Sequence, residues 1–406
     1  MDKTLRDIFT AHYSETLYRR VCSLMEERLD EPHFGFRLAE VPFIVPGDLL
    51  KKLAVAAEEI LAIIRRPENL AAGLLAVPGR YRVRGLKIED EPEFVAIDFA
   101  VARGEGGELV PRLIELQGFP SLYAMQLVQG EIWGEVLAGL PGMPERFTPL
   151  FSGLDRAGYL DLLKRTIVGD GDLDGTILLD LHPEQQKTRP DFHATRRLLG
   201  VRTVDAATIV KDGRTLLAPK DGKLVPVQRI YNRIVFDELE RKAVHLPFDW
   251  RDDLDVRWVC HPDWYWIWSK HTLPRIEHPA APWTRILSEV DTLPRDCGNY
   301  ILKPLFSFAG TGVNPDLTED ALAAIPAAER SQWILQEKVD YAPALLAPDG
   351  TGVKAEIRMM FLKPQGGDYT LAINLTRLSR GKIHGVDHNK GLDWVGSSVG
   401  VWPEPR

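Results

Sequence analysis

Cysteine is scarce. Cys22, Cys260 and Cys297 are the three in 406 residues; they lie far apart and form no CxxC pair or Cys/His zinc spacing. That excludes a disulfide-stapled scaffold and points to buried or free thiols in a reducing compartment. The histidines form no HxH or HExxH array, which argues against a zinc centre. No apolar run reaches the roughly 18–20 residues needed to span a bilayer. The opening MDKTLRDIFTAHYSE is too polar for a secretory h-region, so the expected location is cytoplasmic. There is no GxSxG elbow, and no GK[ST] of a Walker A loop follows the glycines near residue 310. Cations do not predominate: the net charge of −8 argues against a general nucleic-acid or membrane-surface binder, while leaving room for a local basic pocket.

What is present is the composition of a globular protein, 45% hydrophobic and 27% charged, in a chain longer than one ordinary domain. Residues 3–29 place Leu5, Ile8, Phe9, Tyr13, Leu17, Val21, Leu24, Met25 and Leu29 at helical spacing, and 47–65 repeat the pattern after Pro46. EFVAIDFAVA, GEGG and ELVPRLIEL read as strand, turn and strand, a hairpin. Helices are predicted at about 122–140 and 155–167. TILLDL, then PDFHATRRLLG, then VRTVDAATIV alternate strand, helix and strand, the mark of a small α/β unit with a parallel sheet. KDGRTLLAPKDGKLVPV reads as a further hairpin, and RIYNRIVFDELERKAV runs from strand into helix. Strands return at 299–304, 332–339, 353–362 and 369–378, after an aromatic run at 258–268 expected to pack between lobes.

Three constellations carry chemistry. In ILKPLFSFAGTGV an apolar strand ends at Lys303 and gives way to a small-residue turn with Ser307, Gly310 and Gly312. A lysine point charge and glycines that let backbone N–H groups approach are what a triphosphate needs. Within the hairpin, Glu115 and Gln117 are two apart and share a face, which Asp98 on the partner strand can also reach. Two carboxylates and an amide oxygen are hard ligands suited to Mg²⁺ held mainly by phosphates. In QWILQEKVDY an apolar strand breaks into polar residues that can present backbone to an adenine edge. Each has a plain structural alternative: a surface lysine on a hairpin, a solvated strand face, a core strand leaving its sheet.

Together these pieces resemble the ATP-grasp superfamily, and among its members the circularly permuted type related to glutathionylspermidine synthases, over about three quarters of the chain. The resemblance implies an α+β fold in permuted order: an N-terminal helical region (1–90), a metal-binding part (91–170), an embedded α/β pre-ATP-grasp domain (171–255) and a nucleotide-binding part (256–406). It implies ATP and Mg²⁺ as cofactors. Lys303 would be the phosphate lysine, Ser307 to Gly312 the phosphate loop, and Lys270 an earlier lysine reaching the phosphates. Gln336, Glu337 and Val339 would form the hinge, with the backbone at Lys338 and Val339 reading adenine. Asp98, Glu115 and Gln117 would hold the metal, Gln117 standing where the family usually has asparagine. Arg358 and Arg377 would stabilise the transferring phosphate, with Asn374 nearby and a weaker role for Asn389 and Lys390. Asn232 and Arg233 would bind a substrate carboxylate, unless Arg233 pairs structurally with Asp237 or Glu238.

The implied reaction is ATP-dependent ligation of a carboxylate to an amine through an acyl-phosphate. A phosphotransferase with the same nucleotide cradle, or a non-catalytic nucleotide-binding protein, are the alternatives. The expected partners are small-molecule or peptide carboxylates and amines.

Overall fold

Residues 3–29 form two helices, α1 (Lys3–His12) and α2 (Glu15–Leu29), because Ser14 sits between them in extended backbone and its hydroxyl accepts from Leu17 N. This computed structural model describes every residue except 33, 80–90, 236–238, 240–241, 307–311, 382–388, 390 and 405–406. Helix α3 (Gly47–Ile64) buries Leu49, Leu53, Ala57, Ile60 and Ile64 along one stripe. Helix α4 (Pro67–Ala76) begins on a proline, whose missing N–H costs nothing in a first turn.

The predicted hairpin forms from β1 (Phe94–Arg103) and β2 (Leu109–Gln117). All of β1 except its last residue is buried, as befits an interior strand. Helix α5 (Tyr123–Ala138) is buried almost all round, and α6 (Arg156–Ile167) is capped by the Asp155 side chain accepting from Gly158 N.

The α/β unit follows. Strand β3 (Thr176–Asp180), helix α7 (Arg189–Leu199), β4 (Arg202–Asp205), β5 (Arg229–Asn232) and β6 (Arg257–Val259) make a parallel four-stranded sheet in the order β6-β5-β3-β4. The hairpin expected over 211–227 gains a third strand: Val210–Asp212, Thr215–Lys220 and Lys223–Val227 form an antiparallel meander. The aromatic run folds into the short helix Trp264–Ile267, buried in the main core beside α4, with Trp264 and Trp268 ring centroids 5.0 Å apart.

Strands β7 (Thr284–Ile286), β8 (Tyr300–Pro304) and β9 (Trp333–Glu337) form an antiparallel sheet in the order β7-β9-β8. Beneath it lies a core of its own, built on Leu287, Cys297, Leu302, Leu317, Leu322 and Leu335. The chain then returns to the first hairpin. Strands β10 (Gly352–Leu362), β11 (Thr370–Ser379) and β12 (Gly396–Ser398) complete a sheet ordered β12-β11-β10-β1-β2. The hairpin near residue 100 thus pairs with strands some 260 residues later: Arg358 lies opposite Asp98. Among the described residues no helix is long and apolar enough to cross a membrane, and all three cysteines are free.

Candidate functional site

Strand register builds one face of the large sheet into a charged surface. Asp98 is opposite Glu115 on β2 and opposite Arg358 on β10, while Glu356 is opposite Arg377 on β11. Directly opposed residues share a face. A bulge after Asp98, with Ile114 as the extra residue, brings Glu115 level with Asp98 rather than turning it away. Glu115, Gln117, Asp98, Glu356, Arg358 and Arg377 therefore point to the same side.

Their contacts are specific. Arg358 donates to both Asp98 oxygens, Nε to Oδ1 at 2.6 Å and Nη2 to Oδ2 at 2.7 Å, and its Nη1 donates to Ser121 Oγ at 3.1 Å. Arg377 Nη2 donates to Asp98 Oδ2 at 2.6 Å and also to Glu356 Oε1. Glu356 accepts from the Tyr341 hydroxyl at 3.0 Å through its other oxygen.

The facing lobe contributes Lys303. Strand alternation sends Leu302 into the small core beneath that sheet and Lys303 to the opposite side. Its Nζ donates to Gln336 Oε1 at 2.6 Å and to the Ile114 carbonyl at 3.1 Å, the residue before Glu115. Gln336 is fixed in turn by its Nε2 donating to Thr284 Oγ1 at 3.1 Å. Lys270, buried at the start of the 3₁₀ segment Lys270–Arg275, places Nζ 3.9 Å from Glu115 Oε2. Glu115 Oε1 is also 3.9 Å from Arg358 Nη2, so Glu115 is held loosely.

The electrostatics follow from burial. Burial pulls the Lys303 ammonium down to about 8; Glu115, Glu356 and Asp98 oppose the fall and Lys270 adds to it. Burial pushes the Asp98 carboxyl up, but Arg358 and Arg377 overcome it and hold it below the ordinary carboxylate value. Glu356 goes the other way: burial raises it, and Asp98 and Glu115 add to the rise against the pull of Arg377 and the Tyr341 hydroxyl. The cluster sets four cations (Lys270, Lys303, Arg358, Arg377) against three carboxylates (Asp98, Glu115, Glu356). A buried surplus of positive charge suits an anion.

A magnesium ion fits part of the expected ligand set. Both Asp98 oxygens are engaged by guanidinium groups, and the described residues contain no group of three His, Cys, Asp or Glu side chains arranged to hold a metal. Glu115 is the carboxylate with room, its side chain 29% exposed. Gln117 donates Nε2 to the Phe119 carbonyl at 3.0 Å, and its Oε1 makes no hydrogen bond among the described residues. Glu115 and Gln117 present two hard oxygens on one face, enough for an ion that takes most of its ligands from phosphates and water.

Other expected residues lie elsewhere. Asn374 is on the opposite face of the sheet. Its amide is spent on the Pro149 carbonyl at 3.2 Å and on Gly400, to whose carbonyl it donates at 2.9 Å and from whose N–H it accepts at 2.7 Å. Asn232 and Arg233 belong to the α/β unit. Arg233 pairs with the buried Asp191 of α7, whose other oxygen accepts from Met125 N at 2.9 Å; the expected partners Asp237 and Glu238 lie outside the described residues. Asn232 Oδ1 accepts from Ile234 N at 3.2 Å. At the end of β9, Glu337 is exposed and donates its N–H to the Trp283 carbonyl, and Lys338 N donates to Asn299 O, each at 2.8 Å; Val339 follows, half-buried. Gly312 has φ +73°, and a Cβ there would stand 2.8 Å from Pro304 Cγ, which accounts for a glycine. Ser307, Gly310 and Lys390 lie outside the described residues. Asn389 Oδ1 accepts from Ser379 Oγ and from the N–H groups of Arg380 and Gly381.

Three residues of the cluster were not singled out in the sequence: Glu356, Tyr341 and Ser121. Glu356 had a signal, since it precedes Arg358 by two in a strand and must share its face. Tyr341 and Ser121 lie outside strands and had none.

No family model matches the chain, and no curated protein matches it. Among solved structures it is similar to a glutathione synthetase-like effector from Globodera pallida, determined in its apo form. The match has a TM-score of 0.57 and 11% sequence identity, covering 91% of this chain and 95% of that one. That likeness is one of fold: a mixed α+β architecture with several sheets, consistent with an ATP-grasp-like one. In this fold the charged cluster lies where the large sheet meets the smaller three-stranded one.

Proposed function

We propose that the protein is an ATP- and Mg²⁺-dependent ligase joining a carboxylate to an amine through an acyl-phosphate, on a circularly permuted ATP-grasp fold. The observation that carries this reading is the meeting of Lys303 with Glu115, Asp98, Arg358 and Arg377 in one buried, net-positive cluster drawn from both sheets. Chain order supports the permutation: the carboxylate-bearing hairpin precedes the lysine strand by about 200 residues.

In this reading Lys303 and Lys270 neutralise the nucleotide phosphates. Glu115 and Gln117 hold the magnesium ion, which supplies charge neutralisation at the phosphates. Arg358 and Arg377, fixed by Asp98 and Glu356, orient the γ-phosphate and stabilise charge as it develops. A carboxylate oxygen attacks the γ-phosphorus, the bond to the β-γ bridging oxygen breaks, and ADP leaves. The amine then attacks the acyl carbon, the bond from that carbon to the phosphate oxygen breaks, phosphate leaves with the oxygen and its electron pair, and the nitrogen loses a proton to solvent.

The test is ADP release screened with carboxylates and amines supplied in pairs. ADP release that needs both partners supports ligation. A stable phosphoproduct without amine dependence would make the protein a phosphotransferase. One observation favours a second reading, nucleotide binding without turnover: both oxygens of Asp98 are already occupied by arginines. ATP binding with no ADP release from any pair would support that instead.

A further inference from the structure

An open groove of about 510 Å³ lies away from the charged cluster, between α3 and the first half of β2, bordered on its third side by residues 278–280. Its lining is largely apolar: Val55, Ala56, Val110, Pro111, Pro279 and Ala280. Val55 is 52% exposed, a large apolar side chain left to solvent at the mouth. Lys51, Lys52 and Arg112 also line it, against the single carboxylate of Glu59. That carboxylate is engaged. His278 Nδ1 accepts from Ala280 N at 3.0 Å, so the proton rests on Nε2, which donates to Glu59 at 2.8 Å. Lys52 is held weakly, 3.8 Å from Glu108 and 3.5 Å from the Leu109 carbonyl, and Lys51 is exposed.

We infer that this groove binds a small amphipathic carboxylate, with its apolar body against Val55, Val110 and Pro279 and its anionic head on Lys51 and Lys52. The volume is that of a small-ligand pocket, and an apolar lining with a few convergent charges is the usual composition of one. An extended peptide adding to the edge of β2 fits poorly. Pro111 has no N–H to give, Leu113 N is already bonded to the Ala280 carbonyl at 2.8 Å, and the Leu109 carbonyl faces Lys52. The site is independent of the nucleotide reading, since none of the cluster residues lines it.

The experiment is calorimetric titration of the full chain with octanoate, octylamine and acetate. Octanoate should bind at one saturable site, and octylamine and acetate about tenfold more weakly or worse, a charge-assisted contact and the apolar body each being worth that much. Lys51→Glu and Val55→Glu, both at exposed positions, should each weaken octanoate by a similar factor while leaving the circular dichroism spectrum unchanged. Lys303→Ala should leave octanoate binding unchanged, which separates this site from the nucleotide proposal. Absence of saturable octanoate binding, equal binding of octylamine, or indifference to both groove variants would overturn the inference.

Discussion

Asp98 is clamped by Arg358 through two parallel hydrogen bonds, 2.6 and 2.7 Å, across strands whose sequence positions differ by 260. Its second oxygen also accepts from Arg377 at 2.6 Å. A 1% exposed carboxylate with two guanidinium partners is the electrostatic centre of the cluster. In the proposed reading it positions the arginines, while Glu115, its side chain 29% exposed, is left for the metal.

That division of labour separates two substitutions. Asp98→Leu leaves two buried arginines without their shared partner and should cost about 3–5 kcal/mol in chemical denaturation. Glu115→Gln removes a loosely held, part-exposed charge and should change stability by about 1 kcal/mol or less, yet abolish the magnesium dependence of nucleotide binding. Equal stability losses in the two variants would contradict the assignment.

Lys303 predicts a pH dependence. Its ammonium titrates at about 8 rather than 10.5, so between those values the native chain binds fewer protons than the unfolded one. Stability contributed by this residue therefore rises with pH through that window, because the cost of burying the charge is relieved as the proton leaves. Anion binding moves the opposite way: triphosphate affinity, set by the protonated fraction, should fall about fivefold between pH 8 and pH 9. Binding titrations across pH 6.5–9.5 test this. Lys303→Arg, which keeps its charge, should flatten the profile.

Gln117 gives a narrower test. Gln117→Asn shortens the arm but keeps the amide oxygen, and should retain magnesium-dependent nucleotide binding. Gln117→Leu removes the oxygen and should raise the magnesium concentration required by about tenfold, the scale of one lost polar contact to a charged group. Equal magnesium requirements in the two variants would remove Gln117 from the ligand set.

Gly312 is expected to resist change. Its backbone is left-handed, and an added Cβ would stand only 2.8 Å from Pro304 Cγ. Gly312→Ala should therefore destabilise by about 1 kcal/mol or more, measured by thermal or denaturant unfolding.

Much of the element pattern was legible because it is local. The alternation of FVAIDFAVA and RLIELQG gave the hairpin, and Gly200, at φ +79°, gave the stop of α7. The placement of Glu115 and Gln117 on one face also followed from period two. What sequence spacing did not contain was the bulge at Ile114, which aligns Glu115 with Asp98, and the late strand that supplies Arg358 and Glu356. Asn374 shows the limit in the other direction. It is three residues from Arg377, an odd step along a strand, so it faces away, and its amide holds Gly400 in place. Arg233 looked like a ligand for an outside carboxylate, but its first partner is Asp191, 42 residues earlier.

The most direct measurement is equilibrium binding of a non-hydrolysable ATP analogue, with and without Mg²⁺, to the wild-type chain and to Lys303→Ala and Glu115→Gln. Expected is saturable, magnesium-dependent binding that weakens by about tenfold or more in each variant, the loss of one charge-assisted contact. No binding to the wild type, or equal affinity in all three proteins, would contradict a nucleotide site at this cluster.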